Sequence, residues 1–131
     1  MNIALITGAN RGLGFEIAKT LGQHGMYIIL GVRDADKGRD ALNALNEQNI
    51  KGECVNIDVS NGVSIHAAAD EVTTRHPHLD VLVNNAGLLN DYGVTASVLP
   101  IEDLRASFET NFFGAFETTQ AFLPLIRKSQ A

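Results

Sequence analysis

Short continuous runs of apolar residues alternate with longer segments of helical periodicity along most of the chain. The runs are five or six residues long and rich in Ile, Leu and Val, which predicts buried strands. Between them, apolar residues recur every three to four positions, as on one face of an amphipathic helix. The pattern predicts strands at 3–7, 27–32, 53–57 and 79–83 and helices at 13–24, 36–48 and 64–76.

This order of elements predicts an α/β fold. Strands that are apolar throughout belong in a parallel sheet whose two faces are both covered by helices. Right-handed crossovers then restrict the chain to a doubly wound, three-layer arrangement in which the strands lie in the order 3-2-1-4.

The fourth strand is followed by the polar stretch 84–87, a loop to Pro100 and one long helical pattern over 101–128. We expect a break or bend near 111–114 and a distortion at Pro124. The helix carries too many apolar side chains for a solvent-facing helix, so we expect it to form a homo-oligomer interface. The aromatic ones are Phe108, Phe112, Phe113, Phe116 and Phe122.

Length and composition narrow the class of protein. A chain of 131 residues fits one domain, and its net charge of -5 disfavours nucleic-acid binding. Cys54, the single cysteine, excludes an internal disulfide and is expected to be buried. No run approaches the ~20 apolar residues of a membrane span, so no membrane association and a cytoplasmic location are expected. The four histidines lack metal-ligand spacing, which predicts surface positions and no metal site.

The turn between the first strand and the first helix has the composition of a phosphate-binding loop. It reads Thr-Gly-Ala-Asn-Arg-Gly-Leu-Gly over 7–14. Gly8 suits a tight turn, Gly12 allows close approach of a diphosphate, and Gly14 allows the helix to pack on the sheet. The helix N-terminus would add free N–H groups for the anion, with Asn10, Arg11 and Leu13 in the same loop.

The spacing Thr-Gly-x-x-x-Gly-x-Gly resembles that of the short-chain dehydrogenase/reductase family. The residues Thr-Gly-Ala-Asn-Arg-Gly resemble those of its NADP(H)-dependent carbonyl-reductase branch. Three further motifs follow in family order. Asp58-Val59 resembles the pair that contacts adenine, and the stretch 84–87, Asn-Asn-Ala-Gly, resembles the family's second hallmark. The resemblance implies a Rossmann fold, with Asn85, Ala86 and Gly87 at the cofactor. It also implies that Asn111 is a catalytic residue that helps to hold a proton-relay water.

The end of the second strand bears on the choice of cofactor. An acid about 20 residues past the glycine loop holds the ribose of NAD, whereas arginine accommodates the 2′-phosphate of NADP. By resemblance the acid would fall at Val32, and Arg33 follows it. With Arg11, this predicts NADP(H), and NAD(H) stays the alternative through Asp34.

The family's catalytic tyrosine and the lysine four residues after it have no match. The tyrosines are Tyr27 and Tyr92, and Gly31 and Ala96 lie four residues after them. Tyr27 opens a strand and is expected to be a packing residue. Tyr92 is expected in a loop near the substrate. We therefore expect 1–131 to be the dinucleotide-binding part of one Rossmann domain, without its C-terminal catalytic half and inactive alone.

The favoured function is hydride transfer between NADPH and a carbonyl or alcohol substrate by the parent enzyme. A non-catalytic NADP(H)-binding or regulatory module and a scaffold that packs through its long helix remain open. Nothing in the sequence selects a particular substrate.

Overall fold

The structure, a computed structural model, describes residues 1–88 and 93–131. It contains four strands and five α-helices within those ranges. The strands are β1 (Ile3–Thr7), β2 (Tyr27–Val32), β3 (Gly52–Asn56) and β4 (Val81–Val83). The helices are α1 (Gly12–Gln23), α2 (Ala35–Asn46), α3 (Gly62–Arg75), α4 (Ile101–Phe108) and α5 (Ala115–Ile126), and a π-helical segment (Glu109–Gly114) joins α4 to α5.

The four strands form one parallel sheet in the order β3-β2-β1-β4, which confirms the predicted fold. Successive side chains of a strand point to opposite faces, and β1 supplies both layers of the core. Ile3 and Leu5 pack on one face with residues of α3 and α5, including Phe122. Ala4 and Ile6 pack on the other face with residues of α1 and α2.

The predicted element boundaries differ from the observed ones at several ends. The fourth strand begins at Val81 and not at residue 79, because the Leu79 amide donates to the Leu125 carbonyl in α5. The third helix begins at Gly62, two residues before its predicted start at residue 64. The reason is that the Asn61 side chain caps it by accepting from the Ser64 amide. The predicted break in the long helix is real and takes the form of the π segment. Helix α5 continues past Pro124 to Ile126.

The prediction of surface histidines is wrong for two of the four. The side chain of His76 is 15% exposed and bonds Glu53, which Arg75 also contacts. The side chain of His78 is 28% exposed and lies 3.1 Å from Asp80. Cys54 is half-buried where burial was expected, and its thiol donates to the Gly38 carbonyl at 3.2 Å. Burial raises the pKa of that thiol.

Asp80 ties the amino-terminal edge of the sheet together. Its side chain is 3% exposed and accepts hydrogen bonds from the Ile3 amide at 2.7 Å and from the Ser129 hydroxyl. Its own amide donates to the Ile3 carbonyl. Burial alone would raise the pKa of this carboxyl, but the bonds from Ser129 and Ile3, with His78 nearby, hold it below its ordinary value.

Asp80→Asn should lower the free energy of unfolding at neutral pH by about 1–3 kcal/mol, because an amide cannot accept all of these bonds. A carboxyl whose folded pKa is depressed stabilises the fold above its unfolded pKa and loses that effect as the pH falls through its folded pKa. The difference between wild type and Asp80→Asn should therefore be constant at neutral pH and shrink below the ordinary value of 3.8. Urea denaturation from pH 2 to 7 measures it.

Asp70→Asn, a change at an exposed carboxylate of α3, is the control. A difference between wild type and Asp80→Asn that persists unchanged at the lowest pH would contradict the stabilising role of the Asp80 carboxylate.

Candidate functional site

A cleft of about 1060 Å³ opens at the carboxyl edge of the sheet. Because all strands are parallel, the loops that leave β1, β2, β3 and β4 meet at this edge. The cleft is lined by ten of the predicted site residues: Gly8, Asn10, Arg11, Gly12, Arg33, Asp58, Val59, Asn85, Ala86 and Gly87. The structure thus brings together four segments that lie far apart in the sequence.

The ends of β1 and β4 are joined by the hydroxyl of Thr7. It accepts hydrogen bonds from the amides of Asn85 at 3.0 Å and Ala86 at 2.9 Å, and donates to the Val83 carbonyl at 3.4 Å. The Asn85 side chain completes the connection by donating to the carbonyls of Thr7 and Gly8. Thr7 is 1% exposed, so these bonds are shielded from water and fix the glycine loop against the loop after β4.

Helix α1 presents an uncapped N-terminus at the cleft. Arg11 stands at the capping position in an extended conformation, without a side-chain cap bond, and no acidic residue lies in the first turn. Helix α2 differs, because Asp34 caps it. The first amides of a helix have no partner inside it, so those of Gly12, Leu13 and Gly14 remain available to an anion. Leu13 is 70% exposed, and its contribution to an anion site would be its backbone amide.

Gly8 and Gly14 are required by close approach. Gly8 has a φ of 61°, and a Cβ there would lie 2.9 Å from the Cα of Ala86. At Gly14 a Cβ would overlap the Asn85 side-chain nitrogen and the Gly8 carbonyl. Gly12 has a φ of 59° with open space around it, so its requirement is conformational. Glycine at 8 and 14 therefore keeps the loop closed on Asn85 and Ala86.

The cleft also carries basic side chains. Arg11, Arg33 and Lys37 line it, and all three are exposed. The carboxylate of Asp34, which had left the alternative of NAD open, accepts from the amides of Asp36 at 2.9 Å and Lys37 at 3.1 Å. Because it caps α2, it is engaged with the helix. Val32 is 2% exposed and packs in the core.

Asp58 follows β3 with its carboxylate held in place. Its Oδ1 accepts from the Ser60 hydroxyl at 2.6 Å and the Ser60 amide at 3.0 Å. These bonds, with a smaller contribution from the positive charge of Arg33, lower the pKa of Asp58 against the opposing effect of burial. Asp58 is therefore ionised at neutral pH and faces the cleft beside the buried Val59.

Asn111 lies within the π segment and clamps the loop after β4. Its Oδ1 accepts from the Leu88 amide at 2.6 Å, and its Nδ2 donates to the Leu88 carbonyl at 2.7 Å. A Cβ on Gly87 would lie 3.3 Å from that oxygen. The Asn111 side chain is thus occupied by the backbone of Leu88. A relay water held by its backbone carbonyl stays a prediction.

Sequence reasoning missed several residues at the cleft. The cleft is also lined by Lys37, Ser60, Leu88, Glu109 and Thr110. The hydroxyl of Thr7 supports it by accepting from the Asn85 amide. Lys37 could have been found, because it lies in the first turn of the helix that follows Arg33. Tyr92, expected near the substrate, lies outside the described residues.

Two classes of site receive no support in the described ranges. Residues 1–88 and 93–131 contain no group of three or more His, Cys, Asp or Glu side chains arranged to hold a metal ion. None of the helices in those ranges has the length and hydropathy to cross a lipid bilayer.

The family model described as short chain dehydrogenase matches residues 2–131, and the chain belongs to that family. Short-chain dehydrogenase anuI of Penicillium roqueforti is 40% identical over 130 residues, covering 98% of this chain and 51% of that protein. Carbonyl reductase (NADPH) 1 of Mus musculus is 34% identical over 132 residues, covering 95% of this chain and 45% of that protein. The chain thus spans about half the length of the curated relatives that it matches.

Solved structures agree with this assignment. The Pseudomonas aeruginosa RhlG/NADP active-site complex superposes with a TM-score of 0.92 at 29% identity, covering 99% of this chain and 50% of that one. A metagenomic short-chain oxidoreductase in complex with NADP gives a TM-score of 0.87 at 31% identity, covering 95% and 56%. The parallel sheet described above is therefore the Rossmann-like fold of this family.

Proposed function

We propose that this chain forms the NADP(H)-binding part of an oxidoreductase that transfers hydride between NADPH and a carbonyl or alcohol substrate. The observation that carries the proposal is one cleft that joins an uncapped helix N-terminus to a cluster of exposed cations. A nucleotide with a diphosphate and a third phosphate needs both features. The NADP complex and the NADPH-named reductase among the similar proteins support it.

The residues of the cleft fit such a cofactor in four places. The amides of Gly12, Leu13 and Gly14 would hold the diphosphate, beside Asn10. Arg11, Arg33 and Lys37 would neutralise the 2′-phosphate. The ionised Asp58 and the apolar Val59 would receive the adenine. The loop that contains Asn85, Ala86 and Gly87 would support the nicotinamide.

When bound, NADPH supplies a hydride, and the chain supplies its orientation. Asn111 would act by holding Leu88, and through it the wall beside the nicotinamide. A relay water at its backbone carbonyl is the catalytic role that the family resemblance implies. We assign the general acid, the general base and the substrate pocket to the rest of the parent protein. This assignment agrees with the chain's span of about half the relatives' length. The cytoplasmic location stays a prediction.

The second candidate is a non-catalytic NADP(H)-binding or regulatory module. The cleft supports this module as well as it supports the enzyme. Every group described there is assigned to ligand binding, and none of them is assigned a proton transfer. The coding sequence after Ala131 discriminates between the two. A further strand followed by serine and Tyr-x-x-x-Lys would support the enzyme, and a stop codon would support the module.

Gly14→Val should weaken NADPH binding by about tenfold to a hundredfold. The new side chain would displace Asn85 and Gly8, and such overpacking costs about 1–3 kcal/mol. Fluorescence titration with NADPH measures the change, and a thermal melt checks that the variant folds.

The matched control is Gly62→Ala, whose Cβ would meet only the Glu117 carboxylate, at 2.6 Å, on a flexible side chain. An unchanged NADPH affinity in folded Gly14→Val would refute the assignment of the loop.

Arg33→Asp should shift the preference from NADPH toward NADH by about tenfold or more, since it removes a cation and introduces an acid where the 2′-phosphate would lie. The ratio of the two dissociation constants is the measurement. Arg39→Asp is the control, because Arg39 is an exposed arginine of α2 that pairs with Asp36 at 3.6 Å. If the ratio for Arg33→Asp equals that for Arg39→Asp, Arg33 is only a surface charge.

We also propose that the chain associates through the helical region 101–128. Four phenylalanines in its middle are more than half exposed: Phe108 at 54%, Phe112 at 61%, Phe113 at 53% and Phe116 at 60%. Side chains of this size in one region form an apolar patch that favours association. In addition, β4 pairs only with β1 among the described strands and leaves its other edge open.

The chain should therefore scatter light as an oligomer, with an apparent mass that rises with concentration. Replacing Phe112 and Phe116 together by Ser should lower that mass, because it removes two exposed rings from the patch. Val63→Ser, at a side chain that is 82% exposed on α3, is the control for a general gain in polarity. A wild-type monomer at all concentrations, with a cooperative melt and no binding of an apolar dye, would contradict the proposal.

A further inference from the structure

We propose that the π segment (Glu109–Gly114) couples the two ends of the cleft, and that Gly114 is a positioning residue for the loop after β3. The segment contacts both loops that would surround the cofactor. The coupling itself is a property of the chain alone, and only its consequence for NADP(H) depends on the proposed function.

The first contact is the clamp of Asn111 on Leu88. Both polar atoms of the amide bond the Leu88 backbone, at 2.6 Å and 2.7 Å. Two bonds in fixed directions hold the backbone of Leu88 in position. The loop after β4 therefore follows any movement of the segment at position 111.

The second contact is made three residues later. Gly114 is buried, and a Cβ on it would overlap the Val59 carbonyl oxygen and lie 3.0 Å from the Val59 carbonyl carbon. Both atoms belong to the backbone, so they cannot move aside as a side-chain end would. Val59 is 6% exposed and is fixed on both sides. The Asp58 amide donates to the Ser64 hydroxyl at 2.8 Å, and the Asn61 amide donates to the Asp58 carbonyl at 3.0 Å.

The π geometry explains how one short segment can serve both loops. In an α-helix, residues three apart lie on the same face. The wider turn of a π-helix, with its i→i+5 bonds, turns such residues apart and is frequent at functional sites. Asn111 can thus face Leu88 while Gly114 faces Val59. A regular helix over the same residues would lose one of the two contacts.

The test measures each loop after a change at the opposite contact. In Gly114→Ala, the added methyl should push the segment away from Val59 and loosen the clamp. The Leu88 amide should then exchange its hydrogen about tenfold faster, while the amides inside β1 keep their rates. Gly62→Ala, which places its methyl against the end of the Glu117 side chain, should leave the exchange of Leu88 unchanged. An unchanged Leu88 rate in Gly114→Ala would overturn the proposal, as would equal acceleration of all amides.

A reciprocal variant keeps the proposal testable if Gly114→Ala does not fold. Asn111→Ser releases Leu88 without touching Val59, and the Asp58 amide should exchange severalfold faster. Acceleration confined to Leu88 would overturn the coupling. Both exchange measurements use the chain without cofactor. Failure of the wild-type chain to bind NADPH would therefore refute the proposed function and leave the coupling to be decided by exchange.

The consequence for the cofactor has a separate measurement. Adenosine 2′,5′-bisphosphate carries the adenine end of NADP and lacks the nicotinamide. If wild type binds it, Asn111→Ser should bind it several times more weakly, although Asn111 lies against the other end of the cleft. Equal affinity in both proteins would show that the coupling does not reach the ligand.

Discussion

The cleft depends on a buried threonine hydroxyl. Thr7 ends β1, the strand that pairs with both β2 and β4, so its position fixes the carboxyl edge of the sheet. By accepting from two consecutive amides of the loop after β4, it holds that loop against the glycine loop. The Ala86 amide would lose this acceptor without the hydroxyl, and an unsatisfied amide inside a protein costs about 1–3 kcal/mol. The opposing walls of the cleft are therefore built as one unit before any ligand arrives.

Side-chain capping differs among α1, α2 and α3. Asp34 and Asn61 cap α2 and α3, an arrangement that typically stabilises a protein by about 0.5–2 kcal/mol per cap. Helix α1 has no such side-chain bond, and its first residue, Gly12, lines the cleft. A ligand anion would complete that helix, so binding and stability would be linked. The cap at Asp34 has a further effect, because it engages Oδ1 of a carboxylate that lines the cleft.

The sequence predicts the sheet well because β1 and β2 are continuous apolar runs and segments of helical periodicity separate the four strands. It predicts the glycine loop because Gly8 and Gly12 are needed by the local backbone, whose φ values are positive. Contacts between residues that are distant in the sequence cannot be predicted in this way. The contact between Glu53 in β3 and His76 after α3 joins residues 23 positions apart, so the apolar pattern does not reveal it. The clamp of Asn111 depends on a π turn whose exact span the apolar pattern does not give.

The packing around β2 also limits how the cofactor preference proposed above could evolve. Position 32, where an acid would select NADH, is buried, and a Cβ on Gly38 would already lie 2.6 Å from the Val32 side chain. An acid at 32 would lose the apolar packing of Val32, and the acid already present at 34 is committed to its helix. Position 33 is exposed and free of these constraints. Descendants of this chain that change dinucleotide should therefore carry their first substitution at 33, and changes at 32 should follow only after compensating mutations nearby.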